Sequence, residues 1–323
     1  MSSVAVVIVN YNTCDYLRSC LQTVLRERPD DVIVVDNGSS DGSVEMMRAE
    51  FPQVTVLGDG HNRGYGAAAN YAVTHCAAET ILLLNSDTRL TAGAIEELAT
   101  YLDRHPQVGI VGPRLIGADG AWQQSCYPFP KPLYTLLEET RVGRIIGYIP
   151  ILREYYLYTW SHERVRSVPW LQGSALAIRR RPFEALGGFD ESFFMYFEEV
   201  DLCYRLRKAG WQTHFYPAAT VVHAGGGSTN QYRAPMMVQL FKSTKQFYEK
   251  HYAAWRTLQF RLVVMVLMLA KIARDRFFSY FVDDARHRRL QEDTGMWKHI
   301  LRLMLSPAES PDRLAVELEK GCL

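Results

Sequence analysis

No stretch of this chain is apolar and uncharged for long enough to span a bilayer as a helix. The nearest, Leu262 to Ala270, is closed by Arg261 and Lys271, which argues against a helical integral membrane protein. Cysteine is sparse. Cys14, Cys20, Cys76, Cys126, Cys203 and Cys322 include no CxxC pair, so neither a disulfide framework nor a zinc ribbon is expected, and a reducing compartment suits the chain. Neither sign of charge prevails: 36 basic residues meet 35 acidic ones, for a net charge of +1. That argues against nucleic acid as the main partner, since phosphate binding usually leaves a basic excess. No basic n-region precedes the short apolar run Val4–Val9, so no signal peptide is expected. No G-x-G-x-x-G follows that run and no Walker A loop occurs, which disfavours a Rossmann dehydrogenase and a P-loop enzyme.

Against these absences stands a composition that can bury a core: 48% hydrophobic residues and 22% charged. The first hundred residues alternate strand and helix signals. Val4–Val9, Asp31–Asp36, Val54–Leu57 and Ile81–Leu84 read as strands, the first an unbroken β-branched run suited to burial on both faces. Helices are predicted from Thr13 to about Arg28, over Val44–Glu50, from Gly66 to about Cys76, and from Thr91 to about His105, with Thr13 and Thr91 as caps. This alternation predicts a parallel sheet covered by helices on both faces. From about Gly109 the pattern turns irregular, with aromatic and proline clusters at Tyr127–Pro132 and Tyr148–Trp160 around a helix near Leu133–Thr140. Such a segment suits a lid over a cleft or a surface loop. Strand signals return over Val168–Arg179. A helix is expected over Glu198–Ala209, and short strands at Thr213–Tyr216 and Thr220–His223.

Acids recur where strands end. Asp36 closes the second strand within Val35-Asp36-Asn37-Gly38-Ser39-Ser40, and Asp87 closes the fourth within Leu84-Asn85-Ser86-Asp87. In an open α/β sheet ligands bind beyond the carboxyl ends of the strands, so both should face one crevice. Oxygen ligands there suit Mg²⁺ or Mn²⁺ bridging to a diphosphate. Each segment alone reads equally well as a turn or helix cap. Arg63, in the glycine-rich His61-Asn62-Arg63-Gly64-Tyr65-Gly66, could face phosphate. Phe193-Phe194-Met195-Tyr196-Phe197-Glu198-Glu199-Val200-Asp201 sets three acids at a helix start among aromatics. Acids favour helix N-termini in any case, but apolar surroundings also raise carboxyl pKa values toward the general-base range. His223, before Gly225-Gly226-Gly227-Ser228, could ligate a metal or simply pack.

These segments, in this order, resemble glycosyltransferase family 2, the inverting GT-A group, and its rhamnosyltransferase-like branch. The motifs are VAVVIVNYN, VVDNGSSDGS, HNRGYGAAAN, ILLLNSDT, LQGSALAIRR, GGFDESFFMYFEEVDLCYRLRKAGW and VVHAGGGS. The resemblance spans Val4 to about Ser228 and implies a mixed α/β GT-A sheet flanked by helices, with a helical extension at the C-terminal end. It implies nucleotide contacts from Asn10, Tyr11, Asp36, Arg63, Asn70 and Asn85. Metal ligation falls to Asp87 and His223, and the acceptor side to Trp170, Gln172 and Gly173. The family commonly reads Glu-Asp before x-Asp-Leu. Here Glu198-Glu199 stands in that place, so Glu199 takes the base position beside Glu198. The implied partners are a nucleoside-diphosphate sugar, dTDP-rhamnose foremost, and a saccharide or lipid-linked saccharide acceptor. A UDP-hexose, UDP-N-acetylhexosamine or UDP-galactofuranose donor stays open, as does a catalytically silent binding protein.

Residues 1–230 are expected to form the catalytic domain and 231–323 an amphipathic helical region. Aromatic and basic residues flank Leu262–Ala270, as in a helix lying in a membrane interface. A helix pair that packs on the domain or makes a homo-oligomer fits equally well. The expected location is the cytoplasm, at the cytoplasmic face of the cell membrane.

Overall fold

The computed structural model describes residues 2–133, 135, 157, 160, 162–225 and 232–307. The chain forms two compact units. One comprises Met1–Phe129, Pro150–Phe194 and Glu198–Gln231; the other Pro130–Ile149, Met195–Phe197 and Tyr232–Leu323. Most of the expected helix near Leu133–Thr140, most of the Tyr148–Trp160 cluster, and Gly226 to Ser228 lie outside the described residues.

The first unit is built on one mixed sheet. Its early strands are β1 (Val4–Asn10), β2 (Asp31–Asp36), β3 (Thr55–Leu57) and β4 (Thr80–Asn85), all parallel to their neighbours in the order β3-β2-β1-β4. Alternate residues enter two cores. Val4, Val6 and Ile8 with Val32 and Val34 join one core, which α1 (Cys14–Arg26), α2 (Ser43–Glu50) and α4 (Ala94–Arg104) complete; Val7, Ile33 and Val35 join the other with α3 (Tyr65–Val73). Each fully buried aliphatic side chain contributes about 1.5–3 kcal/mol relative to exposure, so strand polarity and register are strongly specified.

Beyond β4 the sheet turns mixed, as the resemblance implies. β11 (Ala175–Arg179) inserts antiparallel between β4 and β6 (Val108–Ile116). β12 (Gln212–His223) runs parallel to β6, and β5 (Thr88–Leu90) pairs antiparallel with β12. β6 lies where irregular chain was expected. The segments read as two short strands, Thr213–Tyr216 and Thr220–His223, are one strand with a register shift between Tyr216 and Thr220. Two short strands, β7 (Trp122–Gln123) and β9 (Arg166–Ser167), extend this half of the sheet along β6 and β12, and β8 (Cys126–Tyr127) pairs with β10 (Trp170–Leu171) in a small second sheet.

Both threonine caps also differ from expectation. Thr13 holds the N-cap position of α1 but makes no side-chain cap bond; Asp41 Oδ2 accepts the Cys14 N–H instead, at 2.7 Å. Thr91 donates its hydroxyl to the Thr220 carbonyl at 2.7 Å, and Gly93 precedes α4. After β11 come α5 (Arg180–Ala185) and α6 (Glu198–Lys208). α6 opens with Glu198, Glu199 and Asp201 and closes with Arg205, Arg207 and Lys208, so its charges complement the helix dipole at both ends.

The second unit contains α7 (Arg233–His251), α8 (Ala254–Phe278) and α9 (Asp284–Leu305). Its core joins Phe241, Tyr248, Phe260, Val264, Met268, Trp297 and Ile300, with Tyr248 stacked on Phe260 at 4.3 Å. Asp275 is buried and accepts the Trp297 indole N–H at 2.9 Å. Among the described residues no helix is long and apolar enough to cross a membrane.

Candidate active site

The carboxyl ends of β1, β2 and β4 lie side by side, Asn10 paired with Asp36 and Val9 with Asn85. Their polar tips form one hydrogen-bonded chain. Asn10 Nδ2 donates to Asp36 Oδ2 at 2.9 Å and to Ser39 Oγ at 3.1 Å. Thr13 Oγ1 donates to Asn10 Oδ1 at 2.7 Å and lies 2.6 Å from Ser86 Oγ. Asp36 Oδ1 accepts the N–H groups of Gly38 and Ser39. Asn10, Thr13, Asp36 and Ser86 are all buried, so the chain ties Asp36 to the residue beside Asp87. Thr13 was expected as a helix cap and Ser86 only as the middle of Asn85-Ser86-Asp87. Tyr11 follows β1 half-buried.

Other nucleotide-side expectations are placed differently. Asn70, on α3, donates to the Phe189 carbonyl at 2.9 Å and to Glu191 at 3.0 Å, and accepts the Phe189 N–H at 2.9 Å. Its amide clamps the loop that leads to α6. Arg63 pairs with Asp59, whose carboxyl it holds below the usual range, and lies 5.0 Å over the Tyr71 ring. Asn85, half-buried at the end of β4, donates its backbone N–H to the Ser174 carbonyl at 3.0 Å.

Asp87 and His223 come together. They flank the pairing of β5 with β12, in which His223 lies opposite Thr88, and the Ala224 N–H donates to the Asp87 carbonyl at 3.0 Å. Asp87 Oδ1 stands 3.4 Å from His223 Nε2, and both side chains are less than a tenth exposed. Two ligands about 2.1 Å from one octahedral ion stand about 3 Å apart, so a carboxylate and an imidazole so spaced fit a divalent cation. Among the described residues no group of three or more His, Cys, Asp or Glu could hold a metal. A pair of protein ligands still suits Mg²⁺-like ions, which take much of their coordination from substrate phosphates and water.

Glu198 and Glu199 of α6 act on Tyr65, which is buried at the start of α3 and donates its hydroxyl to the Gly173 carbonyl at 3.3 Å. Burial first, then the charges of Glu198, Glu199 and Asp87, push the Tyr65 pKa far above its ordinary value. All three carboxylates therefore act on one hydroxyl. Gly173 abuts Glu199: a Cβ there would meet Glu199 Oε1 at 3.5 Å. Glu198 is buried, its Oε2 has no hydrogen-bond partner, and its pKa is raised well above the carboxylate range by burial and then by the Glu199 charge. Glu199 keeps some exposure. Asp201 is buried and salt-bridged to Arg205 Nε at 2.6 Å; Arg205 in turn binds the carbonyls of Leu186 and Gly188. Tyr196 and Phe197, directly before Glu198, both have positive φ, 65° and 71°. For bulky residues this is strained backbone of the kind that collects at functional sites.

On the expected acceptor side, Trp170 stacks on Tyr127 at 4.6 Å and donates its indole N–H to Pro128 at 2.8 Å. The Gln172 N–H donates to Ser125 at 2.9 Å. These bonds fasten the small second sheet beside Gly173.

The family model described as "Glycosyl transferase family 2" matches residues 5–187. An N-acetylglucosaminyl-diphospho-decaprenol L-rhamnosyltransferase of Mycobacterium tuberculosis is 32% identical over 267 residues, covering 77% of this chain and 85% of that protein. The dTDP-rhamnosyl transferase RfbF of Shigella flexneri is 26% identical over 228 residues, 70% of each. Among solved structures, a mannosyltransferase from Pyrobaculum calidifontis in complex with GDP-Man and Mn²⁺ superposes with a TM-score of 0.54 at 17% identity, covering 94% of this chain and 86% of its own; at that identity it speaks to the fold, a GT-A sheet. A mixed sheet whose strand tips carry a carboxylate–imidazole pair and a helix opening on two glutamates thus coincides with a family match over more than half the chain, and the protein belongs to glycosyl transferase family 2 as a GT-A glycosyltransferase.

Proposed function

We propose that this enzyme transfers rhamnose from dTDP-rhamnose, with inversion, to a hydroxyl of a lipid-linked saccharide used in cell-surface polysaccharide synthesis. The observation that carries the catalytic part is the unequal pair Glu198 and Glu199. Adjacent carboxylates whose surroundings differ divide the roles of acid and base. Burial and then the Glu199 charge hold the Glu198 carboxyl toward its protonated form, which favours the more accessible Glu199 as the charged partner. Glu199 then takes the proton of the acceptor hydroxyl as the new bond forms. Asp36 and its hydrogen-bonded neighbours shape the nucleoside end of the cleft. Asp87 and His223 would hold Mg²⁺ or Mn²⁺, which offsets the charge that develops on the leaving diphosphate. The names of the Mycobacterium and Shigella relatives support the donor, and the first of them supports a diphosphate-lipid acceptor.

α8 supports a membrane site for that acceptor. Trp255, Leu258, Leu262, Val266, Leu269 and Phe277 are exposed at spacings of three, four or eight residues, which sets them along one helix face. Exposed Arg256 and Arg276 accompany them, while Arg274 pairs with Asp275 at 2.7 Å. The one acid of α8, Asp275, is buried, so the surface of α8 is apolar and cationic. Two copies of such a face would set arginine against arginine, whereas an anionic bilayer complements it. This favours a peripheral site on the cytoplasmic leaflet over a homo-oligomer.

The test uses the full chain with Mn²⁺, N-acetylglucosaminyl-diphospho-polyprenol and a panel of nucleotide sugars. dTDP-rhamnose alone should be consumed with transfer to the lipid. Glu199→Gln should still bind the donor and lose transfer by at least ~100-fold. Preferred consumption of a UDP-sugar would overturn the rhamnose reading, and full activity of the Gln variant would overturn the base.

A further inference from the structure

Gln123 was not among the expected site residues, yet its amide engages His223 twice. Gln123 Nε2 donates to the His223 carbonyl at 2.9 Å, and Oε1 lies 2.9 Å from His223 Nδ1. The carbonyl decides the assignment, because a carbonyl oxygen only accepts and so must face the amide NH₂. Oε1 is then left toward Nδ1, and since Oε1 also only accepts, Nδ1 must carry the imidazole proton. In the neutral ring Nε2 therefore presents a lone pair, and Nε2 is the atom 3.4 Å from Asp87 Oδ1.

The surrounding backbone is shaped for this contact. β6 ends at Ile116, and a tight turn brings the chain back as β7, with Leu115 opposite Gln123 and Ile116 opposite Trp122. Gly117 and Gly120 close the turn through N–H bonds to Ala121 and Gly117, and Asp119 accepts the Ala121 N–H. A Cβ at Gly117 would stand 3.4 Å from Gln123 Nε2, and one at Gly225 3.9 Å. Two glycines thus border the amide where it reaches past the strand end to His223.

We infer that Gln123 is a positioning residue: it holds His223 in the Nδ1–H tautomer and aims the Nε2 lone pair at the point the ring shares with Asp87. The inference deepens the metal reading given above and rests on it for its purpose, though not for its geometry. Outer partners of this kind fix the tautomer and orientation of ligating histidines, and their loss typically lowers metal affinity about 10–100-fold.

The experiment compares full-length wild type, Gln123→Leu, Gln123→Glu and His223→Ala. Mn²⁺ alone is titrated and the unbound ion is read by electron paramagnetic resonance. Long-range ¹H–¹⁵N spectra of histidine-labelled protein at pH 8 report the ring tautomer, with His223→Ala giving the assignment. Gln123→Leu should bind Mn²⁺ about 10–100-fold more weakly and show His223 as a mixture of both tautomers. Gln123→Glu keeps an acceptor for Nδ1–H and should retain that tautomer. A purely structural role would lower the melting temperature of the Leu variant without moving either readout. A Leu variant that keeps the pure Nδ1–H form, or wild-type Mn²⁺ affinity, overturns the inference. If wild type binds Mn²⁺ no better than His223→Ala, the metal reading is what fails, and the tautomer spectra still decide the role of Gln123.

Discussion

Glu198 shows how one buried side chain ties stability to pH. Its pKa is raised in the folded protein by burial and then by the neighbouring Glu199 charge. In the unfolded chain the carboxyl ionises near its ordinary value, so above that pH the unfolded state releases a proton that the folded state retains. Stability falls as pH rises from the unfolded pKa toward the folded one. Glu198→Gln removes this dependence at nearly constant shape. The variant should melt close to wild type at pH 4 and several degrees higher at pH 8, a difference measurable by calorimetry. A gap that shrinks with rising pH would contradict the assigned shift. At this scale the acids and His223 were legible because their surroundings mark them: two acids close hydrophobic strands, three open a helix among aromatics, and a histidine precedes glycines. Thr13, Ser86 and Gln123 were not. Gln123 and His223 are 100 residues apart, and nothing around Gln123 in the chain announces a partner. Asn70, expected to line the nucleotide pocket, also holds Phe189 with its amide, a bond that periodicity does not reveal.

Whole elements were legible where one signal dominated. The β-branched runs of β1 and β2 are buried except at Val9 and Asp31 and lie within a residue of their expected bounds. β6 was missed because Gly109, Gly112 and Pro113 interrupt its apolar pattern. Two of these residues are accounted for by packing: Gly109 makes room for Leu206 and Trp211, and Gly112 for Leu171. β12 looked like two strands because Pro217 and two alanines fall at its register shift. The turn before α3 yields a sharper expectation. Gly64 has φ +81°, and a Cβ there would run into the Phe194 carbonyl oxygen, which also accepts the Tyr65 N–H at 2.9 Å. Strain and clash together make Gly64→Ala costly, on the order of 2–4 kcal/mol. Urea titration should show a lower midpoint with an unchanged slope. Gly42 also has positive φ but open space around it, so Gly42→Ala should cost less.

For the molecule as a whole, the composition showed that a core could form and the motif order pointed to the sheet, but neither could say what covers α8. Its exposed stripe continues into Phe278, Tyr280 and Phe281, the last two 84% and 72% exposed. Replacing Leu262 and Val266 by aspartate adds charge of the wrong sign where apolar contact is proposed. Such a variant should sediment with phosphatidylglycerol vesicles at least ~10-fold less than wild type, and its melting temperature should stay close to wild type because both side chains already face solvent. Unchanged sedimentation, or a concentration-dependent dimer that the substitutions abolish, would favour a second copy of the chain as the partner of this face.

The helical unit claims three residues from the middle of the chain. Ser243 donates its hydroxyl to the Met195 carbonyl at 2.7 Å, and the Phe247 ring lies 5.6 Å from that of Phe197. Phe197 is the residue just ahead of Glu198. A shortened protein ending at Gln231 would therefore be no neutral pruning of an appendage. It would discard the side chains that hold Met195 and Phe197, just ahead of Glu198 in the chain, so a dead fragment would testify to that lost anchorage and not to any chemistry performed by the missing helices.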